Sequence, residues 1–205
     1  MQQPPLSEPM ASSYVIDNER ILLNQARDGD SVAQRSIYML HIRYLTAVCS
    51  RYILNPEDVK DVLQDSFIKI FSALNTFEFR GSGSLRSWMS RIVVNESLKF
   101  LKRARTFEFA ELTAVEDTIP FEGPDLDLVP TGVIYELIRQ LPDGYRTIFN
   151  LYIIEGKSHK EIARMLNIKE GTSASQLHRA KAMLASRIIE YQSTFETLTV
   201  WKTNG

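Results

Sequence analysis

The stretch SHKEIARMLNIKEGTSASQLHRAKAML, Ser158–Leu184, reads as a short helix, a tight turn and a longer helix. Ser158 followed three residues later by Glu161 is a capping box, in which each side chain satisfies a backbone N–H at the start of a helix. Ile162, Ala163 and Leu166 give that helix an apolar face. Asn167–Gly171 supplies the turn, with Gly171 as its breaker. In the second helix Leu177, Ala180, Leu184 and Ile188 fall on one stripe, and Thr172, Ser173, Gln176 and Arg179 fall largely on another. A buried stripe opposite small polar donors and a guanidinium suits the DNA major groove, so the layout is that of a helix-turn-helix reader.

Helical spacing continues upstream. Ile21, Leu22 and Ala26 form one stripe, and Ile37, Leu40, Tyr44 and Val48 a second. Val59, Val62/Leu63, Phe67, Ile70/Phe71 and Leu74 form a third, and Leu85, Trp88/Met89, Ile92, Leu98 and Leu101 a fourth. Asp28-Gly29-Asp30, Asn55-Pro56 and Arg80-Gly81-Ser82-Gly83-Ser84 break the helices apart. No strand-like alternation runs far. Residues 106–130 carry seven acidic residues, three prolines and no Lys or Arg, the composition of an acidic linker. Helices resume near Gly132 and pass the turn Leu141-Pro142-Asp143-Gly144. The expected fold is therefore all-α: two small helical domains, 17–105 and 131–191, joined by that linker. Residues 1–16, rich in Pro, Ser and Gln, are expected to be a disordered tail, and 192–205 a weakly patterned one.

The gross composition fits this division. A chain of 205 residues with 44% apolar and 24% charged residues can bury a core in one domain or two. No window approaches about 18 uncharged apolar residues, and residues 1–13 lack the pattern of a signal peptide, so membrane insertion is not expected and the cytoplasm is the expected location. The one cysteine, Cys49, cannot form an internal disulfide and sits among apolar residues as packing.

A net charge of −1 excludes a uniformly basic coat but not local basic faces. Residues 86–105 hold Arg86, Arg91, Lys99, Lys102, Arg103 and Arg105 against Glu96 alone, and residues 157–187 hold seven Lys and Arg against Glu161 and Glu170. Such runs neutralise phosphates and release counterions; a solvated helix face would carry the same residues. On the third helix Asp61, Gln64, Asp65 and Ile68 share a second face at i, i+3, i+4 and i+7. That face suits a partner helix, or plain solvent with one stray apolar residue. Phe77, Phe79, Arg80 and Trp88 surround the Gly/Ser loop, where aromatics beside Arg can stack on unpaired bases; Phe77 and Trp88 also suit core closure.

Taken in order, DVKDVLQDSFIKIF, FRGSGSLRSWMSRIVVN, LPDGYRTIFNLYIIEGKSHKEIARML and EGTSASQLHRAK resemble the extracytoplasmic-function sigma factors, compact sigma-70-type subunits of bacterial RNA polymerase that hold only regions 2 and 4. The resemblance implies that Asp58, Asp61, Gln64, Asp65 and Ile68 bind the clamp coiled coil of the largest core polymerase subunit. It implies that Phe79, Arg80, the Gly81–Ser84 loop and the helix after it open and read the −10 element. An unpaired base would be held by that loop, with Ser84, Arg86, Trp88, Arg91, Asn95 and Lys99 as further contacts. Thr172, Ser173, Ser175, Gln176, His178, Arg179 and Lys181 become the contacts to the −35 element. Ala174 stands where relatives often carry a basic residue, which removes a contact that His178 and Lys181 replace in part. The implied partners are core polymerase, including its flap region, promoter DNA and an anti-sigma factor.

A free-standing helix-turn-helix regulator with a helical dimerisation or sensor domain would explain residues 130–190 equally well, but not the acidic face or the aromatic loop. An enzyme is not expected. The sequence offers no phosphate loop, no metal-ligand cluster, no cofactor motif and no nucleophile–base set, and His41, His159 and His178 lie in separate helices.

Overall fold

The computed structural model describes residues 8–104 and 129–203, with side chains described over 18–104 and 129–194. The chain divides into two compact units, Met1–Phe100 and Leu101–Gly205. All regular structure among the described residues is helical. Apart from Val129 and Pro130, the expected acidic linker lies outside the described residues.

In the first unit α1 spans Glu8–Arg27, α2 Ser31–Cys49, α3 Pro56–Ala73 and α4 Ser84–Arg103, with a 3-10 turn at Leu74–Thr76. α1 starts eight residues before the tail was expected to end. Pro9 sits in its first turn, where a missing N–H costs nothing, so the Pro-rich composition misleads there. Asp30 caps α2 by accepting from Val32 N–H at 2.8 Å, and Asn55 caps α3 by accepting from Glu57 N–H at 2.8 Å, with Pro56 behind it. Leu23, Ile37, Leu45, Tyr52, Ile70, Leu85, Met89 and Val93 form the core. Each fully buried aliphatic side chain there contributes about 2 kcal/mol.

Two stripes are phased differently from expectation. On α2, Ile37 and Val48 are buried, but His41 and Leu45 accompany them, while Leu40 is 65% exposed and Tyr44 faces out. α2 packs against both α1 and α3. The 37/41/45/48 track keeps Ala33 and Cys49 on that inward face, and 40 and 44 fall beside it. On α1 the inward residues are Leu23 and Ala26, with Ile21 exposed.

In the second unit α5 spans Thr131–Arg139, α6 Asp143–Phe149, α7 His159–Leu166 and α8 Glu170–Thr203, with a π turn at Asn150–Ile154. The corner in LPDGYR is built around Arg146, a fully buried cation. Its guanidinium donates to Leu141 O at 2.8 Å and Arg139 O at 3.2 Å, closing the C-terminal end of α5, and to Asp143 Oδ1 at 2.5 Å. The capping box at Ser158 and Glu161 is present in both directions. The Ser158 backbone N–H, then its hydroxyl, holds the Glu161 carboxyl below the usual carboxylate range. The α7–α8 turn is made by Asn167, whose left-handed φ of 58° ends α7, and not by Gly171, which lies inside the first turn of α8. Asn reaches that conformation at low cost, so glycine was not needed. α8 also runs through the tail that had looked weakly patterned, to Thr203.

Candidate nucleic-acid interface

The second face of α3 is presented outward. Asp61, Gln64 and Asp65 are exposed, Asp58 is half-buried in the first turn, and Ile68 is 59% exposed among them. The inward residues Val59, Val62, Leu63, Phe67 and Ile70 fix this orientation. The apolar Ile68 bordered by carboxylates thus has no covering element among the described residues of its unit.

The loop before α4 is shaped by Gly81 and Gly83, with φ of 103° and 77°, conformations that side chains rarely adopt. The Ser84 hydroxyl donates to Gly81 O at 2.6 Å and accepts from Arg80 N–H at 3.2 Å, so it closes the loop. Against this loop lies a cleft of about 390 Å³ lined by Thr76, Phe77, Glu78, Arg80, Ser84, Ser87, Trp88 and Arg91. Its size falls in the range of small-ligand clefts, about 300–1,000 Å³. Phe77 and Trp88 pack directly on each other beside it, tilted by 37° with ring centroids 5.0 Å apart. Trp88 therefore both packs on Phe77 and walls the cleft. Phe77, not Phe79, supplies the second aromatic wall; Phe79 is half-buried elsewhere. Glu78 holds the Arg80 guanidinium at 2.9 Å over the rim.

The remaining α4 candidates separate. Arg91 and Asn95 are exposed one turn apart. Lys99 donates to Glu96 at 2.8 Å, and Lys69 of α3 bonds the other oxygen of the same carboxylate. Burial would raise the Glu96 carboxyl, but the two ammonium groups outweigh it and hold it below its ordinary value. Arg86 lies away from the aromatic cleft, its guanidinium 5.0 Å above the Tyr44 ring. It lines a different cleft of about 410 Å³ with Glu19 and His41. Burial, then the Arg86 charge, lowers the affinity of His41 for a proton.

On α8 the exposed face consists of Ala174, Ser175, His178 and Lys181, with Thr172 and Arg179 half-buried beside it. Ser173 and Gln176 do not belong to it. Ser173 is 0% exposed and its Oγ lies 3.0 Å from Nδ1 of His159; Gln176 is 5% exposed. The ring of His159 stacks on Tyr152 with centroids 4.6 Å apart. The first-turn position of His159 concealed this pin between the two helices of the motif. The Ser175 hydroxyl returns to Thr172 O at 3.1 Å.

The region 2 family of sigma-70 matches residues 37–107, and its region 4 family matches residues 131–184. The chain belongs to the sigma-70 family. Its relatives place it in the extracytoplasmic-function class. It is 26% identical over 182 residues to the ECF RNA polymerase sigma-E factor of Haemophilus influenzae, covering 83% of this chain and 95% of that one. It is 26% identical over 185 residues to the sigma-E factor of Escherichia coli K12, covering 83% and 94%. Among solved structures it is similar to CnrH in complex with the cytosolic domain of CnrY, with 25% identity, coverage of 83% and 97% and a TM-score of 0.44. It is also similar to the sigma factor RpoE in complex with the anti-sigma factor NepR from Bartonella quintana, with 22% identity, coverage of 73% and 92% and a TM-score of 0.42. In this sigma factor the region 2 match takes in α2–α4, with the acidic face and the aromatic cleft, and the region 4 match takes in α5–α7 and the exposed face of α8. Helix α1 precedes the region 2 match. No helix among the described residues is long and apolar enough to cross a membrane.

Proposed function

We propose that this sigma factor directs core RNA polymerase to promoters through three surfaces. The α3 face of Asp61, Gln64, Asp65 and Ile68, with Asp58 at its edge, docks on the clamp coiled coil of the largest subunit. The cleft of Phe77, Arg80, Trp88 and Arg91 receives a base extruded from the −10 element, so that strand opening is driven by capture of a flipped base rather than by hydrolysis. The α8 face of Ser175, His178 and Lys181, flanked by Thr172 and Arg179, enters the major groove of the −35 element. Acting in this way the chain is an initiation factor and not an enzyme. An anti-sigma protein of the kind its class implies would act by covering these surfaces.

The observation that carries the reading is the pairing, on one chain, of an aromatic cleft rimmed by arginines with a separate helix-turn-helix. A free-standing regulator has use for the second and none for the first. The test is transcription and footprinting on genomic fragments, with the chain alone, core polymerase alone, and both. Defined start sites and a two-element footprint are expected only from the mixture. Specific protection by the chain alone, at equal concentration, would overturn the reading in favour of a regulator.

A further inference from the structure

Arg27, the last residue of α1, lies upstream of the region 2 match, yet its guanidinium reaches across about fifty residues of sequence to the approach to the aromatic cleft. Nε donates to Leu74 O at 3.1 Å, Nη2 donates to Phe77 O, and Nη1 is steadied by Asn24 Oδ1 at 3.4 Å. Leu74 O also accepts the Phe77 N–H at 3.3 Å. The guanidinium thus spans the 3-10 turn that ends α3, holding carbonyls at both its ends. Helix C-terminal carbonyls carry partial negative charge, and a planar fork with fixed donor directions fixes two of them at once. Phe77 is the residue so held, and its ring lines the cleft and backs the Trp88 ring that lines it too. Thr76, Glu78 and Arg80, also cleft residues, flank it in sequence.

We infer that Arg27 is a positioning residue for the base cleft: from outside the matched region, it sets the place of the Phe77 wall and so the selectivity of the cleft for the base it receives. This rests on the proposed role of the cleft in −10 recognition. Arg27 touches no DNA in this scheme. It acts through the backbone on either side of the 3-10 turn, where a shift on the order of 1 Å suffices to spoil a preorganised site.

The test uses holoenzyme assembled from core polymerase and the full chain, wild type, Arg27→Met or Arg27→Lys. Promoters carry each of the four bases at the extruded −10 position, on duplex DNA and on templates already unpaired there. Wild type should discriminate among the bases on both. Arg27→Met keeps a stem of similar length but no fork. It should narrow that discrimination and form permanganate-reactive open complexes about tenfold less well on duplex DNA, the factor equivalent to one lost charge-assisted hydrogen bond. Its affinity for core polymerase should stay within about twofold. Arg27→Lys can reach one carbonyl at a time and should fall between. Discrimination equal to wild type in a folded Arg27→Met protein overturns the inference. So does a parallel fall in thermal stability, core affinity and opening with base selectivity intact, which marks a purely structural staple. If Arg27→Met does not fold, Arg27→Lys decides by the same selectivity readout. Failure of the wild type to initiate with core polymerase would instead sink the sigma-factor function, and initiation without base discrimination at −10 would sink the cleft's role and this inference with it.

Discussion

Ser173 and Lys181 lie on one helix eight residues apart and sit in opposite environments. Ser173 is wholly buried, with its hydroxyl on His159, so its contribution is to the angle between α7 and α8. Ser173→Ala should cost about 1 kcal/mol of stability in denaturant unfolding, the net worth of one hydrogen bond. It should leave the ranking of −35 sequences unchanged in competition binding, and a changed ranking would return Ser173 to the contact surface. Lys181 is exposed beside His178. Lys181→Ala should weaken holoenzyme binding to all −35 sequences alike and lower the salt slope by about one. A sequence-dependent loss with the slope preserved would make it a base reader. The serine pair Ser173 and Ser175 shows why the sequence could not sort these roles: identical side chains two residues apart fall on different sides of a helix whose start depends on whether Asn167 or Gly171 makes the turn.

Among the elements, α3 and α4 are joined by the Lys69–Glu96–Lys99 cluster, a nearly buried carboxylate between two half-exposed ammonium groups. The folded state holds the Glu96 carboxyl below its ordinary value of 4.5, so the cluster's stabilisation is fully present above that pH and is lost as pH falls through the lower, folded value. Glu96→Gln should reduce stability at neutral pH by about 1 kcal/mol, discounted for the exposure of both lysines. The gap between wild type and Glu96→Gln should close as pH falls below 4.5 and the folded carboxylate takes its proton. Urea unfolding at neutral and acid pH measures this; a gap that stays constant would mean the charge contributes nothing. At this scale the sequence was legible where one cause dominated. The capping box at Ser158 and the apolar stripes of α3 and α7 follow directly from residue type and spacing, whereas Asp30 and Asn55, read as breakers, also cap the helices that follow them. α2 was not legible in the same way, because 37/41/45/48 contains His41 and is the less apolar of the two tracks, and only the packing of α1 and α3 against α2 turns it inward. Nor was Arg146, since nothing in LPDGYR announces that its arginine turns inward to close the preceding helix.

For the whole molecule the proposed function rests on a division of labour between two units, neither of which offers a large basic surface among its described residues. Under the proposed function each would bind DNA weakly by itself, and a partner that fixes their separation would turn the second contact into an intramolecular one with a gain in effective concentration of about 10²–10⁴. In that proposal the partner is gripped by a surface that is neither the cleft nor the exposed face of α8, and the outward face of α3 is the surface assigned to it. Asp61 and Asp65 are exposed, so reversing both to Lys removes no buried bond and should leave helicity and melting temperature unchanged. The same change places two cations where, in the proposed docking, two anions face the clamp, and should abolish co-purification with core polymerase. Promoter-specific transcription should vanish with it, while the weak, salt-sensitive binding of the isolated chain to DNA persists or strengthens through the added positive charge. Loss of transcription with core binding retained would place the defect in DNA engagement and relocate the docking surface away from α3.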